Sequence, residues 1–190
     1  MERNPEYEIN EIFLKRWSPR AMSGKPIKKE ELMSLFEAAK WAPSSYNNQP
    51  WRFIYALRDT KYWDLLYNLL GDFNKQWCKN ASVLVVVISR KIFDFNNQPS
   101  VTHSFDSGAA WENLALQASM TGFVAHGMET FDYEKARKDL EIPEDYDVEM
   151  MFAIGLPGKK EDLPKELQER EFPSDRKKLK EIVFQAKIKE

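Results

Sequence analysis

Apolar positions recur along the chain with two periods, one helical and one extended. Where they recur every three to four residues, as at Leu32, Leu35 and Phe36, the pattern predicts an amphipathic helix. Stretches of this kind cover residues 6–16, 28–41, 60–70, 103–121 and 132–140. Apolar runs rich in branched or aromatic residues indicate strands instead. These predicted strands cover residues 52–57, 82–90, 123–128 and 147–158.

Helices that interleave with about four strands predict an α+β or α/β domain of three layers. The length of 190 residues favours a single domain, 1–190, and no internal repeat or low-complexity linker divides it. Residues 159–190 form a charge-rich C-terminal arm with spaced apolar residues such as Leu163, Leu167 and Phe172. This arm either packs on its own domain or wraps around a neighbouring subunit, and the sequence leaves both interpretations open.

Composition narrows the class of function. The chain has 28 Lys and Arg residues against 30 Asp and Glu, a net charge of −2, so no global positive field favours nucleic acid or an anionic membrane. The longest strongly apolar run, residues 83–88, is too short to span a bilayer, and the charged N-terminus lacks a signal-peptide core. One cysteine and two histidines exclude an internal disulfide and make a zinc cluster improbable. We expect a cytoplasmic protein that binds a small molecule or another protein.

Two polar segments carry the candidate chemistry. RWSPR, at residues 16–20, offers Arg16 and Arg20 as planar cations with Ser18 between them. Guanidinium groups suit a phosphate or an anionic ring edge, although cations at a helix C-terminus also complement the helix dipole. APSSYNNQPW, at residues 42–51, is longer than a plain connection requires and rich in amide and hydroxyl groups. Such a loop either binds a polar heterocycle or serves as a turn-rich connector.

Together, the R-x-S-x-R motif and the later A-P-S-S-x-N-x-Q-P-W-R-F pattern resemble the nitroreductase family of FMN-dependent oxidoreductases. Four further segments match the family's order over nearly the whole chain. They are FNKQWCKNAS (73–82), HGMETFD (126–132), AIGLPG (153–158) and SDR (174–176). The resemblance implies an α+β fold of three α-β-α layers, with a mixed, mostly antiparallel sheet flanked by helices. It also implies a homodimer with active sites at the subunit interface and a C-terminal arm that reaches the partner subunit.

The resemblance further implies which residues bind FMN. The phosphate and ribityl end would be held by Arg16, Ser18 and Arg176, and the pyrimidine edge of the ring by Arg20 and Asn74. The reactive face would lie along Gly127, Met128, Glu129 and Thr130. The other subunit would contribute Pro43, Ser44, Ser45 and Asn47. No dedicated catalytic side chain and no metal are implied, because the flavin N5 carries the chemistry.

Three positions depart from the pattern of many relatives. Trp77 and Ser174 stand where a lysine is common, and Thr130 stands where glycine is usual. Trp77 either alters the flavin potential through the lost cation or covers the pocket. Ser174 leaves phosphate binding more dependent on the arginines, and Thr130 adds bulk near N5.

The resemblance implies an oxidoreductase that uses NADH or NADPH to reduce nitroaromatic, quinone or related acceptors in a ping-pong cycle. The alternative is a protein that stores or senses FMN without efficient turnover, which a blocked pocket would favour. Reductive dehalogenation and flavin fragmentation are specialised activities of such relatives, and we identify no lid segment that indicates them. Two single residues receive plain structural predictions, a buried inert thiol for Cys78 and a structural hydrogen bond for His126.

Overall fold

Four antiparallel strands form the sheet at the centre of the computed structural model, which describes residues 3–188. They are β1 (Trp51–Leu57), β2 (Val83–Arg90), β3 (Val124–Met128) and β4 (Tyr146–Gly155). Their spatial order is β1-β2-β4-β3, and each of the three pairings is antiparallel. The four strand predictions are therefore confirmed, with ends that differ by at most three residues.

Helices connect the strands and cover both faces of the sheet. They are α1 (Ile12–Lys15), α2 (Lys29–Lys40), α3 (Trp63–Tyr67), α4 (Asp72–Cys78), α5 (His103–Met120), α6 (Tyr133–Asp139) and α7 (Lys165–Gln168). Local chemistry explains several ends. The Glu31 carboxylate accepts a hydrogen bond from the Lys28 backbone N–H at 2.9 Å and so caps α2. After α5, Gly122 takes a left-handed φ of 80° while the Phe123 N–H bonds the Ala118 carbonyl, which closes the helix.

Side chains of β2 show why the fold has three layers. Successive residues of a strand point to opposite faces. Val83, Val85 and Val87 pack against α2 and α5, whereas Leu84 and Val86 pack against α3, α4 and α6. All five side chains are fully buried or nearly so, which is why the sequence of β2 is continuously apolar rather than alternating. The predicted α+β, three-layer fold is confirmed.

Two helices are shorter than their patterns predict. The helix predicted over 6–16 is reduced to α1; just before it, the Asn10 side chain accepts a hydrogen bond from the Ile12 N–H at 3.0 Å, a local turn that competes with helical bonding. The helix predicted over 60–70 contains only α3. Its last residue, Leu70, instead forms an isolated β-bridge with the segment after β3.

One face of α5 was assigned wrongly. Phe105 and Gly108 were expected to face a core, but Phe105 is 81% exposed and Gly108 is also exposed. Ala115 and Ala118 are buried as expected. The helix is covered by α2 and the sheet on one side only, so its small residues serve that contact and its outer side remains open.

The C-terminal arm divides into two parts. Leu163 and Leu167 are buried in the layer of α3, α4 and α6, so the first part packs on its own chain. Farther along, the buried Glu171 carboxylate accepts hydrogen bonds from the N–H of Arg20 at 2.7 Å and from the next N–H at 2.8 Å. Residues 179–188 instead leave their apolar side chains exposed. None of the helices in residues 3–188 has the length and apolar character of a membrane-spanning segment.

Candidate functional site

The RWSPR segment leads into a stretch that runs beside the end of β4. The Ser23 N–H bonds the Leu156 carbonyl, and the Gly158 N–H bonds the Ala21 carbonyl, each at 2.9 Å. Gly158 packs so closely that a Cβ there would lie 2.6 Å from the backbone of Met22. Only glycine permits this close approach. The pairing fixes the chain just after RWSPR, so the arginines of RWSPR lie near the C-terminal arm.

Five arginines line a cavity of about 310 Å³, which we call the arginine cavity. They are Arg3, Arg16, Arg20, Arg170 and Arg176. The other lining residues are Trp17, Ser18, His126, Phe172 and Ser174, so none of the described residues that line it is acidic. A concave surface with several guanidinium groups selects an anion, and a phosphate matches the planar fork of each group.

Arg3 was missed by the sequence reasoning. Its guanidinium donates to the carbonyls of Leu14 and Arg16, both at 2.8 Å, and to the carbonyl of Ser174 at 3.0 Å. Burial, followed by the charges of Arg176 and Arg16, lowers the pKa of Arg3, which reflects how close the three cations lie. Arg3 therefore ties the N-terminal segment to the arm, and no local pattern distinguishes it from other surface cations.

Arg20 has a buried donor that lacks a hydrogen-bond partner within residues 3–188. The Arg20 guanidinium lies over the ring of Phe73, 5.9 Å from the ring centroid. Its Nε is buried and, among the residues that the structure describes, finds no hydrogen-bond acceptor. Buried donors are almost always satisfied, so this atom is suited to an acceptor supplied by a ligand.

His126 sits on the wall of the arginine cavity as a neutral side chain. Burial, with the nearby charge of Arg20 as the second cause, lowers the pKa of His126 to about 4. Its Nδ1 lies 3.1 Å from the Pro19 carbonyl, so the neutral ring donates from Nδ1. The structural hydrogen bond predicted for His126 is confirmed, and the cavity gains no additional charge from this residue.

A second cavity, of about 370 Å³, adjoins the first; we call it the β3 cavity. Its lining combines β3 and its end with residues from α5, α6 and β4. These residues are Arg16, Ser18, Trp111, Glu112, Gly127, Met128, Glu129, Tyr133, Glu149 and Met150. Arg16 and Ser18 line both cavities. A Cβ on Gly127 would lie 2.6 Å from the Met150 methyl, so glycine lets the strand backbone form part of the wall.

Trp77 does not cover the pocket. Its ring is 1% exposed within the core, and its Nε1 donates to the Asn74 side-chain oxygen at 3.3 Å. The Asn74 amide in turn donates to the Thr130 carbonyl at 2.9 Å. The structure therefore aims Asn74 at the exposed turn after β3, where Thr130 lies, and outside the lining of the two cavities.

The loop after α2 holds a fixed shape. The Ser44 hydroxyl accepts a hydrogen bond from the Gln49 N–H at 3.0 Å. The Ser45 N–H donates to the Asp106 carboxylate, in the first turn of α5, at 3.1 Å. Tyr46, Asn47 and Gln49 take left-handed φ values of 51°, 54° and 50°. Such backbone costs about 1 kcal/mol or more per residue, and it is often found at functional sites.

This loop is not brought together with the arginines of its own chain. In the described residues 3–188 it lines neither cavity, and Pro43 and Asn47 are exposed. Tyr46 is 80% exposed and contacts the rings of Phe93 and Phe95, at centroid distances of 5.6 and 5.7 Å. The loop thus presents polar and aromatic groups outward.

Two other kinds of site find no support. The predicted burial of Cys78 is confirmed, and burial raises the pKa of its thiol well above the usual value, as expected for an unreactive cysteine. Within residues 3–188 no three His, Cys, Asp or Glu side chains converge as a metal site would require.

Comparison with known proteins identifies relatives over most of the chain. The model described as "Nitroreductase family" matches residues 13–78 and 61–156. A crystal structure described as an oxidoreductase containing FMN is 46% identical with a TM-score of 0.94, and the similarity covers 98% of this chain and 96% of that one. A protein of Archaeoglobus fulgidus, provisionally named NADH dehydrogenase/NAD(P)H nitroreductase, is 29% identical over 160 residues, 82% of this chain and 88% of its own. The oxygen-insensitive NADPH nitroreductase of Helicobacter acinonychis is 43% identical over 64 residues, 33% of this chain and 29% of that protein.

Proposed function

Because the chain belongs to the nitroreductase family, we propose that it is an FMN-dependent oxidoreductase that takes electrons from NADH or NADPH. The observation that carries this proposal is the pair of adjoining cavities. One offers several guanidinium groups for an anion, the other a wall of bare backbone at Gly127, and Arg16 and Ser18 line both. A ligand with a phosphate at one end and a planar ring at the other fits this arrangement.

The residues present fit FMN in charge and in hydrogen bonding. Arg16, Ser18 and Arg176 would hold the phosphate, with Arg3 and Arg170 adding to the positive field. The unpartnered Nε of Arg20 would donate to the ring edge, where a permanent cation stabilises negative charge. When bound, FMN supplies the hydride chemistry, and the protein supplies orientation and electrostatics.

The acceptor we propose is a nitroaromatic, a quinone or a related compound, reduced in a ping-pong cycle. The β3 cavity, at about 370 Å³, is near the small end of ligand pockets. With the flavin ring along the Gly127 wall, the remaining space would be small, which supports occupation by the reductant and the acceptor in turn. The core position of Trp77 removes one reason to favour the storage alternative, in which a blocked pocket prevents turnover.

We propose further that two copies form the active sites together. The loop carrying Pro43, Ser44, Ser45 and Asn47 is held by internal hydrogen bonds yet lines neither cavity of its own chain. Exposed apolar side chains extend beyond it, along the outer side of α5 and at residues 179–188. Grouped exposed apolar side chains often mark an interface, so burial against a second copy would stabilise the protein while the loop completes the partner's site.

An absorption spectrum of the purified protein tests the cofactor and the reaction. We expect flavin bands that bleach on anaerobic NADH or NADPH and return when a quinone is added. Arg16→Ala should release FMN, while Lys15→Ala, a neighbouring surface cation paired with Glu11, should retain it. A protein that neither contains nor takes up FMN would refute the proposal, and bound flavin that resists both reductants would favour storage.

Subunit exchange tests the shared site. Dimers carrying Asn47→Ala are mixed with dimers carrying Arg20→Ala, both poorly active alone. A heterodimer would contain one intact site and one doubly altered site, so activity should reappear. If exchange is confirmed by mass and no activity returns, the two residues do not belong to one site built from both subunits.

A further inference from the structure

A chain of hydrogen-bonded side chains leads from the β3 cavity to the start of α5. Glu149 lines the cavity, and its Oε1 accepts hydrogen bonds from the hydroxyls of Ser89 and Ser104. The Ser89 Oγ lies 2.6 Å from Nδ1 of His103. On the other side of the ring, Nε2 faces a carboxylate oxygen of Asp147 at 3.8 Å. We call Glu149, Ser89 and His103 the relay.

A β-bulge directs Glu149 into the cavity. Val87 of β2 pairs with Met150 of β4. The next residue, Ile88, pairs with Val148, which leaves Glu149 without a partner across the strands. In a regular strand Glu149 and Met150 would point to opposite faces, yet both line the β3 cavity. Bulges redirect side chains in this way and often lie beside active sites.

The hydrogen atoms of the relay have a defined direction. The Ser89 hydroxyl donates to Oε1 of Glu149, which accepts whether the carboxyl is ionised or carries its own proton on Oε2. The Ser89 oxygen then accepts from Nδ1–H of His103. Ser89 is completely buried, so a hydrolytic Ser-His-Asp triad is excluded because no substrate reaches the hydroxyl. Both hydrogens point toward the cavity, as proton delivery requires.

The outer end of the relay is His103, and charged side chains connect it to solvent. Besides Asp147, Glu149 approaches His103, with its Oε1 3.5 Å from Nδ1. Lys91 and Arg137 reach Asp147 from β2 and α6, at 3.5 and 4.0 Å. The Asp147 side chain is 45% exposed, so protons exchange with water beside Nε2.

The inner end of the relay is Glu149, and the other ionisable groups near it line the same β3 cavity. Glu112 from α5, Glu129 after β3 and Tyr133 from α6 share the lining with Glu149, and Arg16 is the cation among them. Glu112 pairs with Arg16 at 3.5 Å, and Glu129 is exposed. Glu149 is therefore the lining carboxylate that is joined through hydrogen bonds to an imidazole.

We propose that the relay supplies the proton consumed when the acceptor is reduced, with Glu149 as the final donor; this rests on the proposed function. Reduction of a quinone to a hydroquinone by NAD(P)H consumes one proton in addition to the hydride. The Glu149 carboxyl gives that proton to the acceptor oxygen and becomes a carboxylate. Ser89 reprotonates Oε1 while the His103 imidazolium passes its Nδ1 proton to Ser89. Water then restores the proton to His103, whose side chain is 15% exposed.

Two acceptors separate proton delivery from electron transfer. Ferricyanide takes electrons without a proton, whereas p-benzoquinone takes both. In stopped-flow reoxidation of the reduced holoenzyme, Glu149→Gln should slow quinone reduction about a hundredfold and leave the ferricyanide rate within about twofold. Ser104→Ala is the matched control, because it removes a hydrogen bond to the same Oε1 but leaves the relay connected. The wild-type quinone rate should fall as the pH rises, and the Glu149→Gln rate should be flat.

¹⁵N NMR spectroscopy of the flavin-free protein tests the relay without any turnover. The chain has two histidines, so His126→Asn assigns the imidazole ¹⁵N signals of His103. We expect Nδ1 of His103 to carry hydrogen at neutral pH, and Ser89→Ala to shift that signal. An Nδ1 without hydrogen would reverse the direction of the relay and overturn the proposal.

The remaining outcomes distinguish the relay from the function on which it rests. Equal loss of both acceptor rates in Glu149→Gln would show a structural role, and an unchanged quinone rate would show no role; either result overturns the relay alone. A wild-type protein that takes no electrons from NADH or NADPH and reduces neither acceptor would refute the proposed function, and the relay with it.

Discussion

Lowering the pH from about 7.5 to about 5 should destabilise the flavin-free protein through His126. The folded protein holds this side chain with a pKa of about 4, chiefly because it is buried. In the unfolded chain its pKa returns to about 6.5. Between about pH 6.5 and pH 4 the unfolded state binds a proton on His126 while the folded state does not. The free energy of unfolding present above about pH 6.5 is therefore progressively lost as the pH falls to about 4.

The magnitude follows from the two pKa values. Each unit of difference corresponds to about 1.4 kcal/mol, so full titration would remove roughly 3 kcal/mol from the free energy of unfolding. At about pH 5 the unfolded histidine is almost fully protonated and the folded one is mostly neutral, and about 2 kcal/mol should already be lost. This is a large share of the stability of a typical domain.

Urea unfolding at the two pH values, at one protein concentration, measures this loss in the wild type and in His126→Asn. Asparagine retains a donor near the position of Nδ1, which bonds Pro19, but does not titrate. The other titratable groups are common to both proteins, so the difference between their pH dependences isolates His126. Identical pH dependence in the two proteins would refute the argument that burial among arginines keeps this ring neutral.

Three further predictions concern single side chains. Arg3→Ala should raise the FMN dissociation constant about tenfold by fluorescence titration, because it frees the arm that carries Arg176; an unchanged constant would show that Arg3 has no part in the site. Trp77→Phe should cost about 1–3 kcal/mol in urea unfolding, since it removes a buried hydrogen bond to Asn74 as well as volume; a cost near zero would contradict the assigned bond. The Cys78 thiol should resist a disulfide reagent in the native protein and react fully in urea; rapid native reaction would place it at the surface.

The predicted elements were most accurate where burial is decided by near neighbours in sequence. The helix over 28–41 and the strand β2 were predicted to within two residues, because a helix face shows apolar residues every three to four positions and a doubly covered strand shows a continuous apolar run. Prediction failed where a single contact sets the boundary. The Asn10 side chain forms a turn with the Ile12 N–H just before the first helix, and Leu70 forms a β-bridge to the segment after β3 instead of continuing the third helix.

The sequence by itself determined the family and singled out three of the five arginines that line the arginine cavity, because RWSPR, the serine-asparagine loop and SDR are short segments that can be recognised by their residue types. Tertiary structure alone decided that Arg3 joins them, through a bond to Ser174 across 171 positions. It also decided that Trp77 lies in the core and that a bulge redirects Glu149. The reason is physical: periodicity reports which side of an element is buried, whereas a cavity is assembled from residues that meet only when distant segments pack.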